Sequence, residues 1–143
     1  MANTTFSGPV ISDNGFVGDI TGNVTGNVTG NVTGNVTGNV TGNITGGITA
    51  SVQSLSGAGA VNLTTLLTSL TTTGASQALT LADGTVGQLK IITHTVDGGS
   101  AILTPTTALG FTTMTFTNAG DTITLVYTSA GWAIVGNRGG TVA

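Results

Sequence analysis

The side chains of this sequence that suit catalysis are few, and the first of them is its one histidine, His94. A histidine acts as a general base when a nucleophile and an orienting carboxylate lie beside it. Ser100 and Asp97 are the nearest such residues downstream, but a turn at Gly98-Gly99 comes between them. The sequence therefore predicts a strand histidine whose polar tip faces solvent. An alternative is a metal site where three copies of His94 meet on a three-fold axis.

The acidic side chains give no sign of paired carboxylates. The chain has five acids and no glutamate, and each acid stands next to a glycine or an asparagine, where aspartate favours turns. They are Asp13, Asp19, Asp83, Asp97 and Asp121. A glycosidase needs two carboxyl groups about 5–10 Å apart, and nothing in this spacing indicates such a pair. We expect no enzymatic activity, no catalytic residue, no cofactor and no protein-bound metal.

The charge of the chain restricts its partners. Lys90 and Arg138 are the only lysine and arginine, and the net charge is −3, so a row of phosphates cannot be neutralised. The first residues lack the basic and apolar regions of a signal peptide, and no apolar run approaches the length of a membrane span. We therefore expect neither nucleic acid nor a membrane as a partner. Cysteine is absent, so disulfides do not contribute.

A four-residue repeat occupies much of the first half of the chain. Ile20-Thr-Gly-Asn is followed by five copies of Val-Thr-Gly-Asn, and an apolar residue stands at every fourth position from Phe16 to Val52. Glycine and β-branched residues at this frequency disfavour a helix. In a strand, every Val and Gly falls on one face and every Thr and Asn on the other. The repeat therefore predicts an extended structure with one thin apolar face.

That apolar face needs other chains to cover it. A flat sheet would leave edges that invite aggregation, whereas three chains wound around one axis would bury the apolar side chains and leave Thr and Asn outside. We therefore expect a homotrimer. The residues predicted to lie on its axis are Ile20, Val24, Val28, Val32, Val36, Val40, Ile44 and Ile48.

Three other interpretations of the repeat are less favoured. Asn-Val-Thr is an acceptor sequence for N-glycosylation, but the repeat itself forces this spacing. Calcium-binding β-rolls need many carboxylates, and Asp19 is the only acid in register. Ice binding would need paired threonines on a flat face.

The repeat also carries a resemblance. Two consecutive tetrads, starting at Val24, place Val and Gly at positions one and three of an eight-residue unit. This pattern resembles the octad Val-x-Gly-x-x-x-x-x of the triple-stranded β-helix in the cell-puncturing needles of contractile phage tails. The resemblance covers residues 16–52 and implies an intertwined trimeric β-helix stalk.

The composition changes at Ser54-Leu-Ser-Gly-Ala-Gly-Ala, which predicts a flexible boundary. We expect a docking segment over 1–15, the stalk over 16–54 and a C-terminal β domain over 55–143. In the C-terminal domain, short runs rich in β-branched residues alternate with turn formers such as Asp97-Gly98-Gly99. The fold class expected is all-β, with a small β-sandwich or barrel after the stalk. Trp132 and Tyr127 are expected in its core, although contact with a receptor is the alternative.

A second resemblance lies in this half. The segments starting at Leu81 (LADGTVGQLKII) and Gly120 (GDTITLVYTSAGWAIVGN) resemble the terminal β domain of virion structural proteins of marine phages. The opening NTTFSGPVISDNGF is similar to their N-terminal segment. The resemblance implies a phage structural protein at the particle surface, a trimeric capsid decoration protein or head fibre. The alternative is a tail fibre or receptor-binding tip that recognises host surface glycans.

The N-terminal segment breaks the period of four and contains apolar residues that suit a groove or a sheet edge on a partner. We expect Phe6, Pro9, Val10 and Ile11 to dock on the capsid or another virion protein, with the larger C-terminal domain facing outward.

Overall fold

The computed structural model describes Thr41 and residues 44–143, and Ile44–Ala143 forms one compact unit. The predicted docking residues and the predicted axis residues from Ile20 to Val40 lie outside the described residues.

Eleven strands and no helix are present in the described part of the chain. The strands are β1 (Val52–Ser56), β2 (Gly59–Val61), β3 (Leu67–Thr71), β4 (Gln77–Leu81), β5 (Leu89–Val96), β6 (Ala101–Pro105), β7 (Ala108–Leu109), β8 (Met114–Phe116), β9 (Thr122–Thr128), β10 (Gly131–Arg138) and β11 (Thr141–Val142). The prediction of an all-β chain is confirmed for these residues.

The first six strands wind as a β-solenoid of about three turns. Odd strands β1, β3 and β5 pair in parallel in one sheet, while even strands β2, β4 and β6 pair in parallel in the other. Each turn thus contributes one strand to each sheet. Val52 lies beside Leu67, which lies beside Ile91, so equivalent positions of successive turns stack in register. The sequence predicted a small β-sandwich or barrel at this place, whereas the structure has a solenoid in which successive strands alternate between two sheets.

The last strands cover the third turn on both sides. β9 pairs antiparallel with β5, β10 pairs antiparallel with β9, and β7 adds in parallel to β10, which completes a sheet of six strands. In the five-stranded sheet β8 pairs antiparallel with β6, and β11 pairs antiparallel with β8. The antiparallel strands therefore occupy the edges that a fourth turn would extend.

The two sheets enclose a single apolar core, because inward positions alternate with outward ones along each strand. Leu70, Ile92 and Leu125 project into it from the six-stranded sheet, and Leu79 and Phe116 from the five-stranded sheet. Outward positions carry serine and threonine together with apolar residues such as Leu67, Leu89 and Ile91. Leu63, Leu66, Leu67 and Leu70 have the spacing of a helix face, but Leu67 and Leu70 lie in β3.

The segment expected to be a flexible boundary belongs to the first turn of the solenoid. Residues 54–60 lie in β1, in β2 and in the corner between them, where Gly57 has a φ of 74°. The Gln53 side chain holds this corner by donating to the Ala60 carbonyl at 2.9 Å and accepting from Asn62 N–H at 2.9 Å. The high content of serine and glycine therefore reflects a tight turn between strands.

Candidate functional site

His94 is fully buried in β5, so the prediction of a polar tip at the surface is wrong. Its Nε2 lies 2.9 Å from the Thr72 hydroxyl. That hydroxyl donates its one proton to the Gly99 carbonyl at 2.8 Å, so Nε2–H of His94 is the donor to Thr72. The Nδ1 atom has no hydrogen-bond partner. The imidazole is buried in a T-shaped contact with Phe116 in the core, with ring centroids 6.5 Å apart, so it is not placed to meet other copies on an axis.

Ser100 and Asp97, the residues considered as partners of His94, form hydrogen bonds with other groups. The Ser100 hydroxyl accepts from Ser76 N–H at 2.9 Å, and the Asp97 carboxylate accepts from Gly99 N–H at 2.9 Å. Asp97 therefore performs the turn role that its neighbours predict. Neither the Ser100 hydroxyl nor the Asp97 carboxylate is therefore a hydrogen-bond partner of the His94 imidazole.

Lys90 is a second buried polar group, and the sequence did not reveal it. Its side chain is fully buried, and Nζ donates to the Thr65 carbonyl at 2.8 Å and to the Thr65 hydroxyl at 3.1 Å. Burial lowers the pKa of Lys90 from 10.5 to about 8 because desolvation penalises the charged form. The alternation of residues along β5 could have shown that Lys90 faces inward. However, both faces of the strand carry apolar residues, so the sequence does not distinguish the inward face from the outward one.

Asp121 closes the turn before β9. Its carboxylate accepts from the N–H groups of Thr117 and Asn118 at 2.8 and 2.9 Å. Burial alone would raise the pKa of Asp121, but these two bonds, the Thr117 hydroxyl and the nearby His94 lower it below its ordinary value. The carboxylate thus stabilises a turn.

Trp132 is fully buried, as expected for a core residue, and its Nε1–H donates to the Ala82 carbonyl at 2.9 Å. The half-buried Tyr127 packs edge-on against it, with ring centroids 5.1 Å apart. Burial and the neighbouring Asp83 carboxylate raise the pKa of Tyr127. Both aromatic residues therefore lie in or against the core.

The row of apolar residues at every fourth position continues into the described part of the chain, where it is exposed. Ile44, Ile48 and Val52 are 58%, 72% and 51% exposed. Ile44 and Ile48 belong to the predicted trimer axis. The compact unit to which Ile44, Ile48 and Val52 belong therefore leaves these side chains largely uncovered.

Val52 also begins an apolar surface on the outer face of the six-stranded sheet, which we call the apolar stripe. It runs across the strands through register pairs, from Val52 to Leu67 to Ile91, and from Leu89 to Val126. Its members are Val52, Leu67, Leu89, Ile91, Leu109, Val126 and Ala133. Leu89 and Leu109 are each 48% exposed.

The same face is polar further along its strands. Ser54, Ser69 and Thr93 stand side by side in register, followed by Thr122. The hydroxyls of Ser69 and Thr95 lie 2.8 Å apart, and the Thr122 hydroxyl donates to that of Thr93 at 3.3 Å. The outer face thus has an apolar end and a hydroxyl-bearing end.

Comparisons with protein-family models, with curated proteins and with solved structures found no match. Over the described residues there is no pocket and no cluster of side chains suited to a metal ion. Within the same part of the chain, no helix is long and apolar enough to cross a bilayer.

Proposed function

We propose that this protein is a structural component of a phage particle, a homotrimeric capsid decoration protein or head fibre. In this proposal the repeat forms a trimeric stalk and residues 44–143 form its folded end. Phe6, Pro9, Val10 and Ile11 attach it to the capsid or to another virion protein. The protein is made in the host cytoplasm and resides at the particle surface.

The observation that carries the proposal is the exposure of Ile44, Ile48 and Val52 in the single chain. These residues continue the four-residue period of the repeat without a change of phase. Full burial of an isoleucine or valine side chain contributes about 1.5–3 kcal/mol. A row of such residues therefore strongly favours association, and three chains around one axis bury the row without leaving open sheet edges.

The roles of the buried polar groups also favour a structural protein. His94, Lys90 and Asp121 are buried residues of the described part with ionisable side chains, and each bonds to a turn or strand of its own chain. They stabilise loops between strands. These buried polar side chains stabilise the solenoid, and a stable fold suits a structural component of a particle.

The test is to prepare particles carrying the full chain and particles carrying a chain without residues 2–15, and to count copies by cryo-electron microscopy. We expect many full-length copies on the shell. We also expect the deletion to form trimers in solution but to be absent from particles.

A few copies at the tail alone would favour the tail fibre or receptor-binding tip, with host surface glycans as the partner. Normal incorporation of the deletion would show that the docking segment is wrong. Absence of the full-length protein from purified particles would overturn the proposed function.

A further inference from the structure

We propose that the apolar stripe is the surface through which the folded units of three copies pack against one another. The inference deepens the proposed function and rests on its self-assembly part, because it names the side chains that meet between copies. The partner is a second copy of this chain. The hydroxyl-bearing end of the same face remains at the solvent.

The exposed apolar row is continuous with the stripe along the chain. Ile44, Ile48 and Val52 follow one another at every fourth position, and all three are exposed. Val52 pairs with Leu67, and Leu67 with Ile91, so the row passes directly into the stripe through β1, β3 and β5. An axis that buries the row therefore reaches the edge of the stripe without a break.

The outer faces of the two sheets differ in composition. On the five-stranded sheet, register pairs place Thr80 beside Thr104 and Ile102 beside Thr115. Threonine is the commonest residue on that face, and its hydroxyl group can hydrogen-bond to water. The stripe instead places Leu89 beside Val126 and Ala133 beside Leu109. Val52, Leu89 and Leu109 of the stripe are exposed and its other members are half-buried, and an apolar patch that reaches the surface in this way marks an interaction site.

The stripe is free of charged side chains. The charged groups of the neighbouring strands lie elsewhere: Lys90 projects into the core, and Arg138 pairs with Thr122 at the hydroxyl-bearing end. Identical copies can therefore approach without burying a charge or placing like charges together. A partner that bound by charge would find no complement here.

Symmetry requires a specific form of contact. In a three-fold ring each copy presents one part of its surface to the next copy and a different part to the previous copy. The stripe spans strands from β1 to β7 across the sheet, so its β1 side and its β7 side supply two such parts. Leu89 and Leu109 should then lose most of their exposure on assembly.

The experiment is carbene footprinting of the purified full-length chain, with its mass measured by analytical ultracentrifugation in the same buffer. Leu89 and Val96 belong to the same strand and are 48% and 53% exposed in the single chain. They lie roughly 23 Å apart along β5 at about 3.3 Å per residue. We expect several-fold lower labelling at Leu89 and Leu109 than at Val96.

A matched pair of variants gives a second measurement. Leu89→Asp should shift the trimer towards monomer on dilution, whereas Val96→Asp should dissociate as the unchanged chain does. Circular dichroism of each variant establishes that the strands have formed. If Leu89→Asp fails to fold, the footprint of the unchanged chain decides alone.

The outcomes separate this inference from the proposal on which it rests. A trimer in which Leu89 and Leu109 are labelled as strongly as Val96 would overturn the stripe interface and leave the trimer standing. A monomer would overturn both. Protection that appears only in assembled particles would assign the stripe to a capsid protein and contradict a second copy as its occupant, while the virion role would stand.

Discussion

Two side chains that resemble catalytic groups, His94 and Lys90, lie on the inward face of the same strand and serve packing. Each is fully buried and bonds to the preceding turn of the solenoid: His94 to Thr72, and Lys90 to Thr65. Such bonds join residues that are distant in sequence and offset the cost of burying polar atoms. At this scale the polar interior holds successive turns in register.

The buried lysine predicts an unusual response to pH. Below about pH 8, Lys90 is charged in both folded and unfolded chains, and the full desolvation penalty opposes folding. Between that pKa and the ordinary value of 10.5 the unfolded chain binds more protons, so the free energy of unfolding rises with pH. We expect a gain on the order of 1–3 kcal/mol at most. Urea unfolding at fixed chain concentration, from about pH 7.5 to 9.5, measures it.

The matched control is Lys90→Met, whose stability should stay level over that range. The range ends before the ordinary pKa of tyrosine because Tyr127, with its raised pKa, acts in the opposite direction there. A rise of equal size in Lys90→Met would show that another group is responsible.

At the scale of elements, the solenoid depends on corners that bring backbone segments into close approach. Gly98 and Gly99 form the corner between β5 and β6, where Gly98 lies against the Thr72 carbonyl and Gly99 against the backbone of Gly74. Gly99 has a φ of 140°, a conformation that is nearly restricted to glycine. This corner therefore fixes how the second and third turns stack.

Replacing Gly99 by alanine should destabilise the fold by about 2–4 kcal/mol, because a Cβ there meets the Gly74 backbone and the dihedral is strained. Gly110 is the matched control. It also has a positive φ, 80°, but its Cβ position is open. Gly110→Ala should cost only about 1–2 kcal/mol. Thermal melting of both variants measures the difference, and equal losses would show that strain alone accounts for the effect.

At the scale of the whole molecule, the exposed row and the apolar stripe give the chain more apolar surface than a lone solenoid needs. Ile44 and Ile48 precede β1, and their side chains are largely exposed. In the proposed trimer these side chains gain their burial from other copies. Stability and assembly would then be coupled, so that the melting temperature depends on chain concentration.

The Ile48→Asp variant tests that coupling. In the trimer it would bring three carboxylates together, where desolvation and mutual repulsion cost several kcal/mol. We expect a lower melting temperature and a shift towards monomer in light scattering. Thr49→Asp is the control, because Thr49 is also exposed but lies outside the row. Indistinguishable behaviour of the two variants would place the row in solvent and contradict the assignment of faces.

Residue types and short sequence motifs predicted several features of the fold correctly. The frequent β-branched residues predicted an all-β chain, and Asp97-Gly98-Gly99 predicted a turn that the structure contains. Trp132 was expected in the core and is buried there. Such features depend on backbone preferences and on near neighbours, which a single sequence carries.

Tertiary structure decided the rest. In β5 the sequence Leu89-Lys-Ile-Ile-Thr-His94 has apolar residues on both faces, so alternation alone does not say that Lys90 and His94 point inward. That choice follows from pairing β5 with β3 and β9. Pairing in parallel also turns the expected sandwich or barrel into a solenoid. The partners of each strand lie far away along the chain, and only the packing of complete turns around one core selects them.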